Sequence, residues 1–243
     1  AFQRYVQERE DGGPLTQELA LAFILASGGT VEGRAIRYGV LRRFAEFLSV
    51  YDPCMGTLDP KAVPRFRAVP PPRILTEEEL GRLLNATLRI SLKNPLRGRT
   101  LHTIVGLLAS TGMRSGEALR LDRADVDWVA GVLHVRKSKF RKDRLVPVHS
   151  TTLTVLRAYD RARAAAFPAP KSPAFFLSQR GVRLSSTAVC NAFRQARSAA
   201  KLDEISPRVL RPHDLRHRFA VERLAIWHRE GLDVQALLPL LAT

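Results

Sequence analysis

Thr111-Gly-Met-Arg-Ser-Gly-Glu-Ala-Leu-Arg-Leu121 is the stretch on which the fold turns. Upstream of it, Thr103 to Ser110 has the spacing of a helix, and Gly112 breaks that helix because glycine accepts the left-handed backbone of a helix end. Arg114 follows the break, and Glu117 lies one turn further on, so a guanidinium and a carboxylate share a helix–helix joint. Alone, such a joint is an ordinary exposed arginine. Two later segments give it weight. Arg136-Lys-Ser-Lys139-Phe-Arg141-Lys142-Asp-Arg144 is a basic bend between Val132–Arg136 and Arg144–Val148, whose alternation predicts a short hairpin. Arg211-Pro-His213-Asp-Leu-Arg216-His217 predicts a helix starting near Pro212, with His213 and Arg216 at i and i+3 on one face.

Two arginines, a lysine and a histidine suit phosphoryl transfer without a metal. Arginine forks match the non-bridging oxygens of a phosphodiester and stabilise the extra negative charge of its transition state. A lysine on a hairpin tip can protonate a departing alkoxide, and a histidine can move a proton to or from a nucleophile. His213 and His217 sit at i and i+4, as zinc ligands do. The glutamate that a zinc-protease helix carries after its first histidine is here Asp214, and no third ligand is near in sequence. No metal and no cofactor are expected.

The 243 residues carry 39 lysines and arginines against 23 acidic residues, a net charge of +16 and a pI near 11.0, which point to a polyanionic partner. A 45% hydrophobic share supports a packed core. Cys54 and Cys190 form no CxxC pair, so a disulfide framework is not expected. The longest apolar run, Leu19 to Ala26, is too short for a membrane span, and the N-terminus lacks a signal-like pattern, so no membrane partner and no secretion are expected.

Residues 1–70 hold 9 basic and 8 acidic residues, while residues 71–243 hold 30 and 15, so the excess charge belongs to the second part. Arg65-Phe-Arg67-Ala-Val-Pro-Pro-Pro-Arg73 joins them, and three successive prolines favour an extended connector. The expected domains are 1–66, helical; 67–73, a basic linker; and 74–243. In the first, Leu19, Leu21, Ile24 and Leu25 repeat at helical spacing. Arg34 to Val50 places Ile36, Val40, Leu41, Phe44 and Leu48 on one apolar face, with Arg37, Arg42 and Arg43 off it. In the second, Thr76 and Glu79 form a capping box, and further helices fit 151–166, 185–200, 214–230 and 233–242. The fold class is mainly α with a small antiparallel β-sheet. Arg37, Arg42, Arg43, Arg65, Arg67, Arg73, Arg141, Lys142 and Arg211 are the candidates for contacts to a polyanion backbone.

Taken in order, the three segments resemble the boxes of the tyrosine recombinases, the phage-integrase and Xer-like family. The resemblance implies Arg114, Lys139, His213 and Arg216 as catalytic residues and Glu117 as support for Arg114. It implies a helical core-binding domain and a catalytic domain forming a C-shaped clamp on double-stranded DNA. It further implies metal-free cleavage through a 3′-phosphotyrosine, release of a 5′-hydroxyl, strand exchange in a tetramer, and a cytoplasmic, nucleoid-associated place in a bacterial-type cell.

The sequence departs from the family pattern at its end. Leu238-Pro-Leu-Leu-Ala-Thr243 stands where a Leu-Gly-His segment and then the tyrosine nucleophile are expected, and Tyr5, Tyr38, Tyr51 and Tyr159 all precede His213. The expectation is a recombinase or integrase chain, truncated before its final helices, that binds DNA without cleaving it. The alternative is a non-catalytic DNA-binding or regulatory module of the same fold. A third reading, an RNA-binding helical protein, would use the charge alone and give Arg114 and His213 no role.

Overall fold

The computed structural model describes residues 1–9, 13–52, 56–64, 71–91, 94–136, 143–206 and 208–242. The chain divides into two compact units, Ala1–Pro70 and Pro71–Thr243.

The first unit contains α1 (Phe2–Gln7), α2 (Gln17–Ala26) and α3 (Val31–Leu48). Threonines cap the two longer helices: Thr16 Oγ1 accepts from the Leu19 N–H at 3.2 Å and Thr30 Oγ1 from that of Gly33 at 3.1 Å. The core joins Leu15, Ala20, Phe23, Ile24, Tyr38, Leu41, Ala45 and Leu58. The apolar face of α3 is therefore rotated from the one its periodicity predicts. Leu41 is buried as expected, but Ile36, Val40 and Phe44 are 62%, 55% and 43% exposed. Tyr38 takes their place because its hydroxyl is satisfied in the interior, donating to the Asp59 carbonyl at 2.6 Å and lying 2.9 Å from Gln17 Oε1. Ala45, fully buried, completes this face.

The second unit is built around α5 (Pro95–Thr111), which packs against α4 (Glu77–Arg89), α7 (Ser150–Ala166) and α9 (Pro212–Arg229). Leu101, Ile104, Val105, Leu107 and Leu108 of α5 are all essentially inaccessible. The helix begins earlier than its apolar periodicity indicates, because Asn94 caps it and Pro95 occupies its first turn. The expected capping box is present at α4: the Glu79 N–H donates to Thr76 Oγ1 at 3.1 Å, and the Thr76 N–H to Glu79 Oε2 at 2.9 Å.

After α6 (Ser115–Arg120) come β1 (Val126–Asp127), β2 (Val132–Val135) and β3 (Arg144–Pro147), an antiparallel sheet in that order with Val135 opposite Arg144 and Leu133 opposite Val146. Leu133 and Val135 face the core. A 3-10 turn (Arg123–Asp125) precedes β1, and helices α8 (Ser186–Ala199) and α10 (Val234–Ala242) complete the elements among the described residues. The class is mainly helical with one small antiparallel sheet, as the sequence indicates. Among the described residues no helix is long and apolar enough to cross a membrane.

Three arginines of this unit are interior braces. Arg73, read above as a polyanion contact, is 8% exposed; it donates to the Leu202 carbonyl at 2.8 Å and to Glu79 at 2.7 Å. That expectation is corrected: its guanidinium closes the start of α4 onto a distant loop. Arg163 bonds the Phe175 and Ala174 carbonyls at 3.0 and 2.8 Å. Arg218 bonds the Leu75 carbonyl at 3.1 Å and pairs with Glu77 and Glu222. Guanidinium suits such places because it reaches several acceptors at once from a rigid plane.

Candidate active site

Helix α5 ends on Gly112, whose φ of +63° lies in the left-handed region and whose N–H donates to the Leu108 carbonyl at 3.0 Å. A Cβ there would lie 2.2 Å from Cδ1 of Phe219, so the ring of that α9 residue sits directly on the turn. Turn and helix are joined a second time by Arg216, one turn before Phe219. Its Nη1 donates to the Gly112 carbonyl, and its Nη2 to the Leu241 carbonyl of α10 at 3.2 Å.

Arg114 stands at the N-cap of α6, and Glu117 lies one turn inside. Glu117 Oε2 accepts from the Arg114 backbone N–H at 2.9 Å, and Oε1 accepts from Arg114 Nη1 at 2.9 Å. Arg144, the first residue of β3, straddles the same carboxylate, with Nη1 at 3.1 Å from Oε1 and Nη2 at 2.7 Å from Oε2. The Glu117 side chain is 1% exposed. Burial would push its carboxyl up, but hydrogen bonds from Arg144 and from the backbone and side chain of Arg114 hold it down at about 2. Glu117 is therefore a fixed anion at any ordinary pH.

Arg216 feels the charges of Arg114, Arg144 and Glu117. Burial, and then the neighbouring Arg114, lower its pKa from the usual arginine value, while Glu117 opposes the shift. Two guanidinium groups thus grip one carboxylate and a third lies within its field, so positive charge exceeds negative among these four side chains. Such a cluster favours an incoming anion with several oxygens.

The start of α9 is fixed by Pro212 in its first turn and by the buried Asp214, whose Oδ2 accepts from the Arg211 N–H at 2.8 Å. That anchor orients His213 and Arg216. His213 keeps an exposed edge. Its pKa lies below the ordinary histidine value, through partial burial first and then the fields of His217, Arg216 and Arg114, which outweigh Asp214. At neutral pH the ring is uncharged and able to accept a proton. The rings of His213 and His217 meet edge to face, 4.8 Å apart.

The described part of the expected site is thus one constellation: His213 and Arg216 both feel Arg114 and His213 feels Arg216, while Glu117 acts on Arg114 and Arg216. Lys139, Arg141, Lys142, Arg65 and Arg67 lie outside the described residues. Arg211 is exposed at the start of α9. In the first unit Arg37 donates to the Gly28 carbonyl in the turn after α2 at 2.9 Å, Arg42 pairs with Glu46 at 2.6 Å, and Arg43 bonds the Gly39 carbonyl at 3.2 Å.

Arg144 was missed from the sequence, although a signal exists. It shares a strand face with the inward-leaning Val146, two residues on.

Tyr159 is the one tyrosine of residues 71–243. It is 2% exposed; its hydroxyl accepts from the Leu177 N–H at 3.2 Å and lies 3.4 Å from Thr100 Oγ1. Burial pushes its phenol up from the usual value.

The family model described as "Phage integrase family" matches residues 73–242. A protein named as an integrase/recombinase from Sinorhizobium fredii is 58% identical over the whole chain, which covers 78% of that relative. The tyrosine recombinase XerA of Thermococcus kodakarensis is 31% identical over 96% of this chain and 75% of its own length. Among solved structures, a lambda integrase tetramer bound to a Holliday junction aligns over 90% of this chain and 62% of its own, with a TM-score of 0.56 and 21% identity. At that identity the likeness is one of fold.

Proposed function

The chain belongs to the phage integrase family, and on that premise we propose that its second unit holds the phosphodiester of a recombination site for metal-free transesterification. The observation that carries this reading is the cluster of Arg114, Arg144 and Arg216 about the single carboxylate of Glu117, with an uncharged His213 beside it. Arg114 and Arg216 take the non-bridging oxygens and stabilise the charge that builds as the phosphorus becomes five-coordinate. His213 takes the proton of the attacking hydroxyl. Lys139, a little before Arg144 in the sequence, delivers one to the leaving 5′-oxygen. Glu117 aims Arg114. Arg211, Arg141 and Lys142 add contacts to the duplex backbone, and residues 1–66 act as the core-binding domain. The assembled recombinase works in the cytoplasm, as a tetramer on DNA; the tetrameric form of the lambda integrase neighbour supports the tetramer.

Binding to duplex DNA is expected to depend steeply on salt, since each neutralised phosphate releases condensed counterions. With several arginine contacts, affinity should fall roughly a hundredfold or more between about 50 and 200 mM salt. A titration of a labelled duplex across that range measures the slope, and a flat response would remove the reading.

The reaction also needs an oxygen nucleophile held in line with the leaving group. Tyr159 is sealed in the core, and Tyr5, Tyr38 and Tyr51 belong to the first unit. The 243-residue chain should therefore bind a nicked suicide duplex yet give no denaturant-resistant protein–DNA band. A band lost on replacing one of those tyrosines with phenylalanine would overturn this.

A further inference from the structure

We propose that Arg144 is a positioning residue: by gripping both oxygens of Glu117 it fixes the orientation of Arg114 and makes the β-sheet part of the phosphate cradle. The proposal rests on the reading of Arg114 as a phosphate ligand, and its geometric half stands apart from that reading.

Among the described residues Glu117 has four donors, and they come from two elements that are distant in sequence. The α6 turn supplies the Arg114 N–H and Nη1; β3 supplies both Nη atoms of Arg144. Arg114 engages each oxygen once, but both of its donors come from the one short turn and move with it. Arg144 adds a second, coplanar donor to each oxygen from a separate strand, which ties the carboxylate plane to the β-sheet. Arg144 is itself held at the strand start, opposite Val135, and its side chain is only 15% exposed, against 34% for Arg114. The less accessible guanidinium braces the carboxylate, and the more accessible one remains open to a ligand. Lysine could not do the same work, because a single ammonium cannot span two oxygens in one plane.

Two measurements test this on the 243-residue protein. In the first, the Glu117 carboxyl is followed by carbon-13 NMR through an acid titration in the wild type, R144M and R144K. Removing two of its four donors should move the midpoint up by about one unit or more in R144M, and R144K should recover less than half of that shift. An unmoved midpoint in R144M, or full recovery in R144K, would overturn the bidentate brace.

In the second, affinity for a fluorescent duplex of random sequence is compared for R114M, R144M and the double variant, with R161M as a charge-matched control on the exposed side of α7. R144M should lose about three- to tenfold, more than R161M, and the double variant should bind no worse than R114M alone. Additive losses would mean that Arg144 meets phosphate itself, and an equal loss in R161M would reduce its effect to net charge; either overturns the positioning role. Should the wild type fail to bind duplex DNA, the recombinase reading falls, while the carboxyl titration still decides whether Arg144 braces Glu117.

Discussion

Exchanging Gly112 for alanine should destabilise the second unit by about 2–5 kcal/mol, combining a left-handed backbone with a methyl group forced into an aromatic ring. The turn has no slack in either respect: φ is +63°, and the new Cβ would sit 2.2 Å from Phe219. Urea unfolding at neutral pH measures the loss. The two contributions separate on adding F219A, since removing the ring relieves the clash and leaves the backbone cost of about 1–2 kcal/mol. The same displacement would draw α9 away from the Gly112 carbonyl that Arg216 bonds, so DNA affinity should fall with stability. An alanine variant that unfolds with the wild type would mean that the turn is looser than its geometry.

Acid should weaken the fold through Glu117, and E117Q should be blind to that effect. The ordinary glutamate value of 4.5 applies to the unfolded chain, whereas the folded carboxyl is held at about 2. The folded state binds this proton more weakly, so the stabilisation is complete above pH 4.5 and is lost as pH falls through the folded value. Over that window it amounts to about 3 kcal/mol. At neutral pH E117Q should be less stable by about 3 kcal/mol, because Arg114 and Arg144 then face each other and Arg216 without a counter-charge. Glu79 and Asp127 also have lowered values and give both proteins a shared acid limb. The difference between the two proteins therefore isolates Glu117 and should shrink steadily from pH 4.5 to 2. A constant difference would show that Glu117 does not titrate with folding.

What the sequence made legible was local. Thr76 and Glu79 announce the start of α4, and Gly112 announces the end of α5, because caps and left-handed turns are written in adjacent residues. The Arg114, His213 and Arg216 positions were legible through spacing within short segments. What stayed hidden depended on partners far along the chain. Arg73 sits in a basic, proline-rich stretch and reads as a solvated charge, yet its acceptor is the carbonyl of Leu202. Arg144 closes a charge run and reads the same way, although its partner is Glu117. The α3 face was misassigned because hydropathy ranks Ile36 and Phe44 above Tyr38, while burial was decided by where the tyrosine hydroxyl could find acceptors.

The inward arginines divide this protein's cations into two chemical populations. A dicarbonyl reagent such as phenylglyoxal should modify Arg161 and Arg211, on open surface, long before it reaches Arg73, Arg163 or Arg218, which stay masked until the chain unfolds. A polyanion touches the first population only, and the second acts on it through the field alone. The two also differ in what their loss does. Erasing an outward arginine alters how firmly the chain is met by its partner; erasing an inward one removes a strut between distant segments and alters whether there is a folded surface to meet.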